Sequence, residues 1–203
     1  MRGLYELLID RKRYLVMSKI FITSDTHFSH KNIIKYCNRP FSSVEEMNSV
    51  LTDNWNSVVS KDDLVIHLGD FSFGKTIESV KNHLDKLNGN KILILGNHDA
   101  LSQDDYLKCG FSHVYSKLEV NLYNHLCVFC HFQMLHWNRS EHGSMHFYGH
   151  QHKESNKDED IAKLNASNRR FNAGVDLNSY KPVNLYSVIK MLDEKPTNAF
   201  WIK

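Results

Sequence analysis

Residues that commonly bind metals or phosphate follow successive apolar, strand-like runs in this chain. The runs KIFITS, DLVIHL, KILIL, HLCVFC and MHFY are each followed at once by such residues. In chain order these are Asp25-Thr26-His27, Gly69-Asp70, Gly96-Asn97-His98-Asp99, the single His131, and Gly149-His150-Gln151-His152. Side chains at the carboxyl ends of neighbouring strands in an α/β sheet meet at the crevice where such folds bind ligands. This sequence pattern therefore predicts an α/β fold with one binding crevice.

Strand and helix patterns alternate in the first half of the chain, and strands dominate the second half. The periodicity predicts strands at 19–24, 64–68 and 91–95 and helices at 31–37, 43–58, 76–87 and 103–109. Further strands are predicted at 114–122, 125–131, 145–149, 171–175 and 185–192. A βαβαβ start followed by a hairpin-rich second half indicates two packed mixed β-sheets flanked by α-helices.

The length of 203 residues suits one domain. Residues 1–16 contain three consecutive basic residues, but neither an apolar stretch of signal-peptide length nor a small-residue cleavage site. We expect residues 1–16 to form a peripheral extension, with docking on a partner as the alternative. Residues 17–203 are expected to form the single domain.

Charge, hydropathy and cysteine usage exclude several classes of protein. The formal net charge of +2 gives no indication of stable nucleic-acid binding or of an anionic membrane partner. No apolar run approaches the roughly 20 residues that span a bilayer. The four cysteines follow no regular framework, which favours reduced thiols. We therefore expect a cytoplasmic protein.

The spacing of the candidate ligands favours a metal site. Asp25 and His27 lie two residues apart on an extended chain, so their side chains point the same way, and His150 and His152 repeat this spacing. Each pair can therefore bind a metal from one side.

The remaining groups complete the donor set that a pair of cations needs. The carboxylate of Asp70 can bridge two cations, and Asn97 offers a neutral oxygen suited to a hard ion. His98 points elsewhere and is left to meet a substrate. Two divalent ions about 3.5–4 Å apart stabilise the attacking and leaving oxygens of a phosphoryl displacement.

The ordered motifs DTH, GDF, GNHD, CHF and GHQH resemble the calcineurin-like metallophosphoesterase superfamily over about residues 19–152. The resemblance is to its small members without a cap domain, and it continues through NRPF, WNRSEHGSMHFYGH and FNAGVDLN. It implies an αββα sandwich. It also implies a first metal held by Asp25, His27 and His152, a second held by Asn97, His131 and His150, and Asp70 as the bridge.

The resemblance further implies the chemistry of the site. A hydroxide between the metals would attack phosphorus, and Asn97 and His98 would contact the substrate. His98 would stabilise charge or protonate the leaving oxygen, with Asp99 orienting its ring. Mn²⁺ is the favoured metal, with Fe, Zn, Ni, Co and Mg open. The chain lacks the arginine pattern after GD and the glutamate after GNH that mark protein serine/threonine phosphatases, which argues against a phosphoprotein substrate.

Three further residues are candidates for substrate contact. His30 and His142 lie near the motifs and are predicted to line the substrate entrance, with exposed polar positions as the alternative. Arg39 is predicted to bind a phosphate oxygen or to be a surface arginine before Pro40.

Other polar residues are expected to have structural roles. His67 lies inside an apolar strand and is expected in the core, and His146 is expected there too. Asn172 and Asp176 could support the ligand loops through hydrogen bonds, or simply form a turn.

These expectations lead to one function and two alternatives. The leading expectation is a metal-dependent phosphodiesterase acting on a nucleotide or another small phosphodiester. The alternatives are a phosphomonoesterase with the same dinuclear centre and a non-catalytic binding scaffold.

Overall fold

A computed structural model of the protein describes residues 18–152 and 168–197. The strands in these stretches are β1 (Ile20–Thr23), β2 (Leu64–His67), β3 (Asn90–Ile94), β4 (His113–Tyr115), β5 (Lys117–Leu122), β6 (His125–Cys130), β7 (Met145–Tyr148), β8 (Arg170–Asn172) and β9 (Val183–Asn184). The helices are α1 (Ile33–Tyr36), α2 (Val44–Val58), α3 (Ile77–Leu84), α4 (Gln103–Cys109) and α5 (Leu185–Asp193). Two short 3₁₀ helices cover Ser140–His142 and Val175–Leu177. The predicted extension, 1–16, lies outside the described residues.

The strands form two mixed sheets, as predicted. The first has the order β4-β3-β2-β1-β9, with β9 antiparallel to β1 and the other pairs parallel. The second has the order β5-β6-β7-β8, in which only the β5–β6 pair is antiparallel.

Alternating side chains of β1 supply two separate cores. Ile22 packs between the sheets with Phe129 and Phe147, whereas Phe21 faces the other way, toward Met47 and Trp55 of α2. This alternation follows from the two-residue repeat of a strand. The first sheet is therefore buried on both faces, which explains its nearly continuous apolar strands.

Two of the predicted helices begin at residues that cap their first turn. The hydroxyl of Ser43 accepts a hydrogen bond from the backbone N–H of Glu46 at the start of α2. Thr76 and Ser79 form a reciprocal capping box at the start of α3. Helix α4 has the predicted bounds and ends at Gly110 in the left-handed conformation.

Two of the predicted strands are wrong. The stretch predicted as one strand, 114–122, is divided at Ser116 into β4 of the first sheet and β5 of the second. The stretch 185–192 is helical because its apolar side chains recur at helical spacing and Asn184 caps the N–H of Ser187. The buried residues of this helix are Leu185, Val188, Ile189 and Leu192.

Within the described ranges, none of the helices has both the length and the apolar character needed to cross a bilayer. All four cysteines are free thiols, as predicted.

Candidate metal centre

The loops that follow β1 and β2 lie side by side because these strands pair in parallel, with Thr23 opposite His67. The backbone N–H of Asp25 donates to the carbonyl of Gly69 over 3.0 Å, and the N–H of His27 donates to the carbonyl of Asp70 over 3.0 Å. Parallel strands thus bring the first two sequence motifs together at one edge of the sheet.

The second sheet joins the same edge through the loop after β7. The backbone N–H of His150 donates to Oδ2 of Asp25 over 2.9 Å, and that of Gly149 donates to the carbonyl of His131 over 2.9 Å. A Cβ atom at Gly149 would lie 2.6 Å from Oδ2 of Asp25 and closer still to Oγ of Ser24, so only glycine allows this approach. The site therefore lies on a seam between the two sheets.

Four of the predicted ligands have left-handed backbone conformations. The φ angles are 58° for Asp25, 50° for His27, 55° for Asp70 and 68° for His150. Residues with a Cβ rarely adopt this region, and each such residue costs of order 1–3 kcal/mol. Such strain persists only where surrounding contacts enforce it, and it clusters at functional sites.

Asp25, His27 and His152 form the first group of ligand atoms. Their ligand atoms lie within 4.8 Å of one another, and Oδ1 of Asp25 is 4.0 Å from Nε2 of both histidines. Among the described residues, neither this oxygen nor either ring nitrogen of His27 has a hydrogen-bond partner, although all are buried. Buried polar atoms are normally partnered. A cation between these atoms would satisfy them.

Asp70, His131 and His150 form the second group, again with ligand atoms within 4.8 Å. Oδ2 of Asp70 is 3.5 Å from Nε2 of His27 in the first group and 3.5 Å from Nε2 of His131 in the second. One carboxylate oxygen is thus equally close to both groups, as a bridging ligand would be.

A hydrogen bond to the backbone sets the orientation of His131. Its Nδ1 donates to the carbonyl of Leu68 over 2.7 Å, which selects the tautomer with the lone pair on Nε2. Nε2 is 3.0 Å from Oδ1 of Asn97, which also presents lone pairs. Two acceptors facing each other at this distance fit a site for a cation.

His152 is held by a carboxylate on the side away from Asp25. Its Nδ1 is 2.7 Å from Oδ2 of Asp176, an arrangement that fixes the ring and leaves Nε2 as the ligand atom. Burial lowers the pKa of His152, but the hydrogen bonds to Asp176 and Cys37 outweigh it and raise the pKa to about 10. The prediction that Asp176 supports the ligand loops is confirmed.

Arg39 requires a correction. It is only 4% exposed, so it is not a surface arginine. Its Nε donates to Oδ1 of Asp176 over 2.8 Å, and its two terminal nitrogens donate to Oδ2 of Asp176 and to the carbonyls of Asp25 and Thr26. With all three nitrogens bound inside the protein, Arg39 anchors the first ligand loop and does not make the predicted phosphate contact.

His98 lies at the open side of the two groups. Its side chain is exposed, its ring centroid is 5.4 Å from that of His27, and its backbone N–H donates to Oδ1 of Asp70 over 2.8 Å. This position suits contact with a substrate bound at the ligand atoms.

Asp99 also requires a correction, because its carboxylate does not orient the ring of His98. Oδ2 accepts the backbone N–H groups of Asp70 and Gly96 over 2.9 and 2.8 Å. Oδ1 accepts the N–H of Phe71 over 3.0 Å and lies 3.4 Å from the hydroxyl of Tyr106. Asp99 therefore ties the loop after β2 to the loop after β3.

The structure separates the two histidines predicted at the substrate entrance. His30 lies at the site, with its ring 5.4 Å from that of His27 and 6.2 Å from that of His98. His142 instead lines a groove with Asn124 and His125 at the start of β6. Since His131 follows the end of β6, this groove is roughly 20 Å from the ligand atoms, and the prediction for His142 is wrong.

The predicted core histidines are buried. His67 is fully buried, with Nε2 3.0 Å from the hydroxyl of Thr26. His146 lies on the outer side of β7, where Nδ1 is 3.1 Å from the carbonyl of Val128 and Nε2 accepts the N–H of Met134 over 3.1 Å.

Burial also shifts the pKa values of the ligand groups. It raises the pKa of Asp25 to about 6 against the opposing effects of His131 and His152. Burial and the nearby basic groups strongly lower the pKa of His27, and burial and His131 lower that of His150. Neutral His27 and His150 and a carboxylate that is costly to charge without a cation are donors expected of a metal site, whereas His152, whose pKa is raised, would release a proton on binding an ion.

Sequence reasoning missed the neighbourhood of His152. Cys37 lies with His152 and Asp176 in a third set of potential ligand atoms. Because Cys37 is 115 residues earlier in the chain, no local pattern could have connected the two. Exposed Phe73 and Phe132 were also missed, although Phe73 is three residues after Asp70 and Phe132 directly follows His131.

Comparisons with known proteins agree with the fold and the motifs. A family model described as the calcineurin-like phosphoesterase superfamily domain matches residues 18–176. The chain is 37% identical to the uncharacterized protein MJ1445 of Methanocaldococcus jannaschii over 182 residues, which is 88% of this chain and 93% of the relative. It is 42% identical over 86 residues to the Gene 66 protein of Mycobacterium phage L5, covering 41% of each.

A solved structure supports the fold alone. The protein of unknown function AQ665 from Aquifex aeolicus aligns with a TM-score of 0.69 and 23% sequence identity, covering 86% of this chain and 99% of its own. The family model spans both ligand groups, and the relative from Methanocaldococcus jannaschii matches almost end to end. The chain therefore belongs to the calcineurin-like phosphoesterase superfamily.

Proposed function

We propose that the protein is a metal-dependent phosphodiesterase that hydrolyses a nucleotide or another small phosphodiester at a dinuclear metal centre. The single observation that most supports this proposal is Oδ2 of Asp70, which lies 3.5 Å from a ligand nitrogen in each of two groups. Two adjacent cations sharing one carboxylate are suited to in-line displacement at phosphorus.

The ligand assignment follows the two groups. Asp25, His27 and His152 would hold one ion, Asn97, His131 and His150 the other, and Asp70 both. When bound, the ions would polarise the phosphate and lower the pKa of the attacking water. Mn²⁺ is the metal we favour.

The chain supports such ions by orienting their ligands. The carbonyl of Leu68 and the carboxylate of Asp176 hold the far nitrogens of His131 and His152, so that Nε2 of each ring faces the centre. Asp99 keeps the backbone that carries Asp70 against the loop that carries Asn97.

His98 would act on the substrate. Its side chain is exposed beside the ligand atoms while its backbone is bound to Asp70. From this position the imidazole can donate a proton to the leaving oxygen or stabilise charge on the phosphate.

A diester substrate is favoured because, among the residues that the structure describes, three of the proposed centre are exposed. Asn97, His98 and His150 are all exposed. An open centre can accept an ester group on each side of the phosphate, whereas a monoester needs room on one side only.

The test is hydrolysis by chelator-stripped protein to which Mn²⁺ has been restored. The substrates are a bis-aryl phosphodiester and the corresponding aryl monoester. We expect metal-dependent turnover that favours the diester, that falls in His98→Ala and that persists in His142→Ala, a matched change at an exposed histidine in the groove at the start of β6. Preference for the monoester would indicate a phosphomonoesterase, and binding of two ions without turnover would indicate a scaffold.

A further inference from the structure

Two exposed phenylalanines flank the ligand groups. Phe73 is 43% exposed and Phe132 is 47% exposed. Phe73 lies three residues after Asp70, and Phe132 directly follows His131. Single exposed apolar residues are common, but two rings beside one polar centre need a reason.

Phe73 lies on the side of the first ligand group. Its ring stacks on that of His30 with a centroid separation of 4.1 Å and an interplanar angle of 7°. The same His30 ring is 5.4 Å from His27 and 6.2 Å from His98. The stack holds Phe73 flat against His30, whose ring neighbours both His27 and His98.

Phe132 lies on the side of the second ligand group. Its ring centroid is 4.9 Å from that of His150 and 5.0 Å from that of His131. It meets both rings at steep interplanar angles, 61° and 76°. The two phenylalanines thus neighbour different ligand groups, and Oδ2 of Asp70 lies 3.5 Å from a ring nitrogen of each group.

We infer that Phe73 and Phe132 are specificity residues that stack on flat rings at the two ends of a phosphodiester. The preferred substrate is then a phosphodiester that joins two nucleosides, with the scissile phosphate at the ligand groups and one base against each phenylalanine. This inference rests on the proposed function. Bases of any sequence stack on aromatic side chains, so a small dinucleoside diester is recognised without base-specific hydrogen bonds.

The test compares two diesters in the full-length, metal-loaded protein. One is a dinucleoside monophosphate with two adenines, and the other is a glycerophosphodiester that has no ring. The measured quantity is the ratio of kcat/KM for the first to kcat/KM for the second. General damage to the metal centre would lower kcat/KM for both diesters and leave this ratio unchanged. Loss of a phenylalanine with only a structural role would cause that kind of damage.

Leucine replaces each phenylalanine because it keeps apolar volume and removes the ring. We expect Phe73→Leu and Phe132→Leu each to lower the ratio by about fivefold or more, the low end of a lost stacking contact. The matched control is Tyr123→Leu, since Tyr123 is an exposed aromatic residue in the β5–β6 turn that contacts Tyr186 and not the ligand groups. The control should leave the ratio unchanged.

An unchanged ratio in either phenylalanine variant overturns the two-sided assignment, as does an equal fall in Tyr123→Leu. Turnover of the ring-free diester without preference for the dinucleoside overturns the inference while the proposed function stands. If neither diester is hydrolysed, the proposed function fails. The inference is then decided by equilibrium binding of the same dinucleoside monophosphate, which must weaken in both leucine variants.

Discussion

Replacing Asp99 with asparagine distinguishes two roles for this residue: orienting the ring of His98, or tying two ligand loops together. If Asp99 orients the ring of His98, the loss of its charge should slow catalysis and leave the fold intact. The structure instead places its carboxylate between two ligand loops, where it accepts the backbone N–H groups of Asp70, Phe71 and Gly96. Asp99→Asn should therefore destabilise the protein even when no metal is present.

The magnitude follows from the three hydrogen bonds. An amide has one acceptor oxygen, which can keep the N–H groups of Asp70 and Gly96 but then turns an NH₂ group toward the N–H of Phe71. Leaving one buried donor unsatisfied costs about 1–3 kcal/mol, and the two remaining bonds lose the additional strength that a charged acceptor provides. We expect the free energy of unfolding to fall by about 2–4 kcal/mol.

The assay is urea unfolding in the presence of a chelator, so that metal affinity does not contribute. The matched control is Asp193→Asn, because Asp193 also accepts a short bond, from Arg169 over 2.7 Å, but is half exposed. That variant should lose no more than about 1 kcal/mol. Equal stability of Asp99→Asn and wild type, together with a slower kcat and full metal content, would refute the loop-tying role and restore the orienting one.

Four further predictions address the centre, the extension and the second sheet. Asp70→Asn should lower metal content and rate together because a neutral amide bridges two cations poorly, and normal values of both by elemental analysis and kinetics would contradict the dinuclear proposal. His98→Ala should retain both ions and lose roughly 10²–10⁴ in kcat, whereas loss of metal would make His98 a ligand. Deletion of residues 1–16 should leave activity within a few-fold of the full chain, and collapse of folding would show that the extension is integral. Burial lowers the pKa of His146 to about 4 from about 6.5. As the pH falls, the unfolded chain therefore binds a proton at this histidine at a higher pH than the folded protein does. Between pH 7 and 5, wild type should lose about 2 kcal/mol more stability than His146→Gln, and equal losses in urea unfolding would contradict this.

Local patterns were sufficient to predict three strands of the first sheet and the convergence of the ligand motifs, whereas the division into two metal sites came from the family resemblance and stays a prediction. The strand runs are short and strongly apolar, and parallel pairing necessarily places their carboxyl ends together. The helix 185–193 was misread because its apolar residues also include β-branched types typical of strands. Its helical spacing and the cap at Asn184 were the decisive signals.

Roles that depend on distant partners could not be predicted. Arg39 and Asp176 are 137 residues apart, and only the fold shows that they form a buried ion pair behind His152. The misplacement of His142 was avoidable, because His142 precedes β7 and so lies at the amino end of that strand, whereas the ligand motifs follow the carboxyl ends. The family resemblance assigned Asp99 to the candidate metal centre, but the contact that it implied, with the ring of His98, is not the one that Asp99 makes.

The seam between the sheets divides the ligands between two parts of the chain. Residues 18–115 build most of the first sheet and contain four of the seven proposed ligands, while residues 117–152 contain the other three. Neither part could therefore bind an ion with a complete set of donors. Under the proposed assignment, metal binding and docking of the sheets would be linked equilibria: an ion at a hundred times its Kd would add about 2.7 kcal/mol to the docked state. Amide exchange along the facing strands would then report metal occupancy at a distance from the ions themselves.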